Sequence, residues 1–416
     1  MSKVETVVSD HFPEVLDPLK AALAVAAVGC LIDNAQPTTL VLVGRSVAGK
    51  SMALNFLMPK GKDDELAKYI YRSDKLTAAS FVSHRADRTP EQLKKNVDLL
   101  PRIRGKTMVS KELAPFFAGK SQELLERFAT LASVLDGTGF VSDSGAQGRR
   151  GYDEPTNFQW LGATTPLSPQ VLEVMANVGP RILFYDADRP RKSIDELVEH
   201  AKHAGMCNRT EACRREVREL VLELYRCCPP GTVESSVVAF GDSRLRQVAL
   251  LADVLTRLRA RTTKDDDGDV EPIEHPERVL GMLKNLAIGR ALVHARASVE
   301  DCDLAQVGHI ALSSGVDGRG RVLRALLLLG GHASAPDIEA SAEVSRPTAL
   351  RYMKELSVVG VTRLIEGRSS TPERIELLPR FAELCTAPLL KAKRGEGEGD
   401  SAERKANRGE GGSGRA

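Results

Sequence analysis

Residues 38–51 read TTLVLVGRSVAGKS. The stretch 38–44 is a short, unbroken apolar run rich in β-branched side chains, the pattern of a strand buried on both faces in a parallel sheet. It leads directly into Gly44, Arg45, Ser46, Val47, Ala48, Gly49, Lys50 and Ser51, which fit G-x-x-x-x-G-K-[ST] at every position. Each position has a chemical reason. The glycines let backbone N–H groups turn inward around phosphate oxygens. Lys50 has the length and charge to reach β- and γ-phosphates, and the Ser51 hydroxyl is a ligand for Mg²⁺. SMALNFLM, which follows, reads as a helix whose positive end faces the anion. A glycine-rich turn can match by chance, but a strand before and a helix after are the context the motif needs. The expected cofactors are therefore ATP and Mg²⁺, held by residues 44–51.

Around this loop lie 416 residues, room for two or three domains of about 100–200 residues each. Hydrophobic residues make up 42% and charged residues 27%, which excludes a wholly disordered chain. Lys plus Arg total 58 against 56 Asp plus Glu, so any nucleic-acid site must be a local patch. No stretch approaches the ~18 apolar residues of a membrane span, and MSKVETVVSDHF lacks a signal-peptide pattern. The expectation is a cytoplasmic protein with no membrane segment, its seven cysteines reduced.

Four units are expected. Residues 1–192 alternate short apolar runs with helical stretches, which favours an α/β layer architecture. Residues 193–315 are mostly helical, broken by CCPPGT and the acidic loop TKDDDGD at 263–269. Residues 321–384 form a compact third unit. The charged tail 385–416 has almost nothing to bury and is expected to be disordered.

Further along the first unit, KTMVSKEL (106–113) reads as a strand ending in Glu112, a group able to orient an attacking water. Lys111 stands where an aspartate usually serves magnesium, and Ser110 is a weak substitute. GFVSDSGAQGRRGY (139–152) reads as a β-hairpin. NFQWLGATTP (157–166) is a strand ending in Thr164 and Thr165. VMANVGPRILFYDAD (174–188) sets Arg181 before another strand, and Arg278 opens a helix in HPERVLGMLKNLAIGR. This order resembles the AAA+ ATPases, in the branch that carries a hairpin before the first sensor: MCM helicases, MoxR ATPases and bacterial enhancer-binding activators. The resemblance covers residues 20–312. It implies a parallel sheet with a helical lid, and a homo-oligomeric ring, a hexamer, with ATP between subunits. It also implies that Thr164 or Thr165 senses the γ-phosphate, that Arg181 enters the neighbour's site as a finger, and that Arg278 is a second sensor. Arg149 and Arg150 on the hairpin would touch DNA phosphates; a solvated turn and helix-surface charges are the bland alternatives for these arginines.

Residues 321–384 read as a winged helix-turn-helix. RVLRALLLLGG is an amphipathic helix closed by glycines; Ser334 and Ser345 are N-caps of two further helices, the last with Leu350, Met353 and Leu356 on one face. Its other face carries Arg346, Thr348, Arg351 and Lys354, side chains suited to base edges or phosphates in the major groove. VTRLIEGRSSTPERIELL supplies two strands and a basic wing with Arg363 and Arg368. Such a module can also dock proteins. His200, His203, Cys207, Cys213, Cys227 and Cys228 lack a C-x-x-C pair and are read as helix residues rather than zinc ligands. Asp136 and Asp143 resemble a calcium loop only loosely.

The sequence thus reads as an α/β P-loop AAA+ ATPase domain followed by a winged helix. The expected function is ATP hydrolysis coupled to DNA, as in an MCM-like helicase or translocase of a chromosome or mobile element. The alternatives are a nucleotide-gated DNA-binding switch or transcription regulator, favoured by Lys111, and a MoxR-like remodeller of protein complexes.

Overall fold

The strands among the described residues are β1 (Thr38–Val43), β2 (Ile70–Arg72), β3 (Thr107–Ser110), β4 (Phe140–Ser144), β5 (Gly148–Tyr152), β6 (Gln159–Thr164), β7 (Ile182–Asp186), β8 (His332–Ser334), β9 (Thr362–Ile365) and β10 (Arg374–Leu377). They come from a computed structural model that describes residues 1–386 apart from 35, 47, 86, 145–147, 177–180, 190–192, 203–205, 263–271, 316–317 and 368–371. Val47, His203, the hairpin tip, the acidic loop, Arg368 and the tail from 387 onward lie outside the described residues.

Five strands form one parallel sheet in the order β2-β3-β6-β1-β7. β4 and β5 pair as an antiparallel hairpin inserted between β3 and β6. The apolar continuity of the sheet strands follows from burial on both faces, with alternate side chains dividing between two cores. Leu40, Leu42, Leu161, Ala163, Leu183 and Tyr185 belong to one core. Val41, Met108, Trp160, Ile182 and Phe184 belong to the other, under the helix Ser121–Leu135 and the pair Phe116 and Phe117. Trp160 is 1% exposed; an aromatic of this kind buries about 150–250 Å², worth several kcal/mol at about 25 cal/mol per Å². The sheet is compatible with a P-loop domain.

The first core is much the larger. It takes in the N-terminal helices Ser2–His11 and Pro13–Val28 and the helices Met206–Cys227, Asp242–Arg259, Glu277–Val293 and Asp301–Ser313. Side chains of these helices, within the stretch 193–315 expected as a helical lid, and of the C-terminal unit, among them Val322, Leu326 and Met353, pack in continuity with that core. The alanine-rich run 21–27 is what permits this: its small side chains let the helix Glu277–Val293 lie close, with the backbone of Gly289 against that of Ala24 and Val28.

The C-terminal unit comprises helices Arg319–Leu328, Ala335–Ala342 and Arg346–Val358 with an antiparallel sheet in the order β8-β10-β9. Ser334 caps its helix through Asp337, with Pro336 in the first turn, as the sequence led one to expect. Ala349, Tyr352, Met353 and Leu356 form the buried face of the last helix, with Leu350 only half-buried beside them. Arg319, 4% exposed, locks this unit to the helix Asp242–Arg259. Its Nε donates to Glu355 at 2.6 Å, and its terminal nitrogens donate to Leu258 O at 3.2 Å, Ala260 O at 2.5 Å and Thr262 Oγ1 at 3.0 Å. Replacing it removes the 2.6 Å partner of Glu355 and the donors to two carbonyls together. Arg319→Met is expected to cost about 3–5 kcal/mol and to lower the thermal midpoint by circular dichroism; an unchanged midpoint would show that the clamp carries no stability.

Candidate nucleotide site and nucleic-acid interface

β1 delivers the chain to Gly44 at the carboxyl edge of the sheet, and Gly49 turns it into the helix Lys50–Phe56 with φ at +82°, a left-handed value that favours glycine. Lys50 is 7% exposed. Its Nζ donates to the carbonyls of Gly44 at 2.6 Å and Arg45 at 2.7 Å. The ammonium is thus folded back onto the loop's own backbone, satisfied by neutral acceptors that an anion can replace. Burial pulls its pKa down, while the charges of Asp188 and Glu112 push it back up. Asp188, just past β7, accepts the Arg45 backbone N–H at 2.6 Å and Arg45 Nε at 3.1 Å. Sequence reasoning missed Asp188, although an acidic residue just past a strand of the same sheet was a usable signal. Ser46 and Ser51 are exposed at the rim of the loop.

Thr164 ends β6 directly beside Val43 of β1. It is 1% exposed, and its Oγ1 has no hydrogen-bond partner among the described residues. A buried hydroxyl without a partner is costly, and this one lies at the strand end next to the phosphate loop. Thr165, the alternative, is exposed. The residue types fit a nucleoside triphosphate: a buried cation on neutral acceptors, an αL glycine and a hydroxyl with no partner among the described residues.

β3 ends at Ser110, so Lys111 and Glu112 already belong to the turn beyond it. The Leu113 N–H donates to Ala163 O at 2.7 Å, and its side chain lies over Gly162, where a Cβ would stand 2.2 Å from Leu113 Cδ1. Gly162 therefore lets this turn cross β6 towards the loop. Glu112 is exposed, lies within electrostatic reach of Lys50 and accepts the Ala114 N–H at 2.8 Å. Ser110 is buried, and its hydroxyl accepts the Trp160 indole N–H at 3.1 Å.

Arg181 and Arg278 are brought together, but away from Lys50. Arg181 donates to both oxygens of Asp136, at 3.0 and 3.2 Å, and Arg278 donates to Asp136 Oδ1 at 3.0 Å. Arg181 precedes β7, whose five residues at about 3.3 Å each put it ~13 Å or more from the carboxyl edge. Arg278, expected from its resemblance as a second sensor, thus sits at the amino edge of the sheet in this chain, opposite its own phosphate loop.

On the hairpin the two arginines part company. Arg149 is exposed and pairs at 3.1 Å with exposed Asp153. Arg150, expected beside it as a phosphate contact, is instead half-buried and turned inward, its side chain 10% exposed: its NH2 donates at 2.9 Å to Asp98, which is fully buried, and another nitrogen donates to Ser83 O. Asp98 also accepts the Tyr152 O–H at 2.7 Å and the Ser83 N–H at 2.8 Å. This correction has a plain cause, since alternation along β5 turns Arg149 outward and Arg150 onto the segment that carries Asp98. Burial, and then the Asp98 bond, raise the Tyr152 pKa, so its hydroxyl stays a donor at ordinary pH.

Arg346, Arg351 and Lys354 are exposed on the last helix. Arg346 lies 3.9 Å from Glu373, and Arg351 lies 3.7 Å from Glu355 and stacks on the Tyr352 ring. Thr348 is half-buried, its hydroxyl hydrogen-bonded to the Ser345 hydroxyl at 2.8 Å; Ser345 stands at the N-cap position but makes no side-chain bond to the helix backbone. Arg363 pairs across the sheet with Glu376 at 2.6 Å. All seven cysteines are free thiols, and burial pushes Cys30 up to about 12. Among the described residues no cluster of three His, Cys, Asp or Glu could hold a metal ion, and no helix is long and apolar enough to cross a membrane.

No protein-family model matches the chain, and no curated protein matches it in sequence. Chains of solved structures do match. One is the active helicase Cch of SCCmec type IV, with a TM-score of 0.34 and 11% identity over 93% of this chain and 71% of that one. That likeness is too distant to carry function.

The hairpin geometry predicts opposite behaviour for its two arginines. Arg150→Ala leaves the buried Asp98 carboxylate without its cation and is expected to cost about 3–5 kcal/mol, read from the denaturant midpoint. Arg149→Ala removes an exposed pair worth about 0–1 kcal/mol and leaves that midpoint in place; equal midpoints for the two variants would contradict the assignment.

Proposed function

We propose that this protein is an ATP-hydrolysing AAA+ motor that acts on DNA as a homo-oligomeric ring, a helicase or translocase serving replication of a chromosome or mobile element. The observation that carries the reading is the complete phosphate loop, with Lys50 buried in it, at the carboxyl edge of a parallel sheet whose β1 lies between β6 and β7. Lys50 leaves its two carbonyls for phosphate oxygens, and Ser51 is the hydroxyl suited to the metal. Mg²⁺ supplies neutralisation of the phosphate charge when bound. Glu112 orients water from the turn that crosses β6, and Thr164 supplies a hydroxyl with no other partner among the described residues. Arg181 and Arg278, at the amino edge, serve the site of a neighbouring copy, where a planar cation meets the developing phosphoryl charge. Arg149 at the hairpin contacts the DNA backbone. The C-terminal unit, three helices with a three-stranded antiparallel sheet, fits a winged helix that offers Arg346, Arg351 and Lys354 to DNA.

One observation favours a second reading, a nucleotide-gated switch with slow turnover. Lys111 replaces the usual aspartate, and the Ser110 hydroxyl already accepts the Trp160 N–H.

ATP turnover by the purified protein, with and without single- and double-stranded DNA, separates the two. The motor reading expects turnover stimulated by DNA and abolished by Lys50→Ala and by Glu112→Gln. ATP binding with no turnover on any DNA would sink the motor and leave the switch.

A further inference from the structure

We propose that Asp136 is a positioning residue for the nucleotide site of a second copy of this chain, holding Arg181 and Arg278 as one rigid pair at the amino edge of the sheet. The inference rests on the reading that these arginines act in trans, and deepens it by naming what aligns them.

Asp136 caps the carboxyl end of the helix Ser121–Leu135. A negative charge there opposes the helix dipole, so local helix stability does not explain an aspartate at this position. What it does is gather two guanidiniums from far apart in the chain, 45 residues away for Arg181 and 142 for Arg278. The Arg181 contact uses both carboxylate oxygens, which fixes the plane of the guanidinium as well as its place. Asp136 Oδ1 is shared with Arg278 at 3.0 Å, so the two cations are registered to one another through a single atom.

Among the described residues, Glu274 is a further carboxylate in electrostatic reach of Arg278, Arg259 and Arg181. Arg259 is occupied, donating to Ile182 O at 2.6 Å and Ser314 O at 2.8 Å. The arginine pair keeps part of its surface exposed, with side chains 19% and 27% accessible. A partly exposed guanidinium pair, held rigidly on Asp136 at the opposite edge from its own loop, suits the phosphates presented by a neighbouring copy.

The test is ATP turnover by mixed assemblies, formed by combining two variants before nucleotide is added. Asp136→Asn alone is expected to lose about 10–100-fold in turnover, the scale of a misplacement of about 1 Å, while its affinity for a fluorescent ATP analogue is unchanged. Mixed with Lys50→Ala, which lacks a working site but keeps its arginines, it is expected to recover turnover above the sum of the two parents. A structural defect confined to the Asp136→Asn subunit would not be rescued this way. Asp136→Ala, with a different side chain, is expected to repeat the pattern. Lys50→Ala mixed with Arg181→Ala is the control for the reading beneath. Rescue in that control without rescue of either Asp136 variant overturns the role given to Asp136 and leaves the trans arginines standing. Wild-type turnover in Asp136→Asn does the same. No rescue in the control, or no turnover by the wild-type chain, overturns the trans reading and the proposal with it.

Discussion

Lys50 places an ammonium, 7% exposed, between the carbonyls of Gly44 and Arg45. A buried cation is tolerated only when its donors are satisfied and compensating charge is near. The rest of the site can be understood as meeting that demand. The left-handed turn at Gly49 brings the loop's backbone round to the ammonium. Asp188 fixes the first half of the loop through the Arg45 backbone, and the Leu113–Gly162 crossing carries Glu112 to the other side. Both carboxylates counter the downward pull of burial on Lys50. Neutral carbonyls are weaker partners for an ammonium than anionic oxygens are, and Lys50 is held here by two of them.

The parallel sheet then sorts the chemistry by edge. Every strand in it points the same way, so the loop, Thr164, the Glu112 turn and Asp188 gather at the carboxyl edge. The Asp136 pair gathers at the amino edge. The hairpin leaves from the same sheet, between β3 and β6, with its base held by the buried Asp98 network.

How much of this was legible in the sequence depended on range. The loop, β1, the hairpin and β6 announce themselves through local pattern: continuous β-branched runs, glycines at turns and a motif with a fixed spacing. The strand expected over 106–113 stops at Ser110, because Leu113 must turn over Gly162, a contact between strands that no local pattern encodes. The pairing of Arg45 with Asp188 spans 143 residues, and that of Arg150 with Asp98 spans 52. Arg149 and Arg150 look equivalent in sequence and are separated only by which side of β5 each occupies. The close packing of the helix Glu277–Val293, within the stretch 193–315 expected as a lid, on the small side chains of 21–27 joins segments more than 250 residues apart and is encoded by no local pattern.

The most direct measurement is the affinity of the purified protein for ATP with Mg²⁺, by titration calorimetry, beside Lys50→Ala. Saturable binding that the substitution weakens by at least about tenfold, or about 1.4 kcal/mol, is the predicted result. No binding by the wild-type chain, or equal binding by Lys50→Ala, would contradict the assignment of this loop as a nucleotide site.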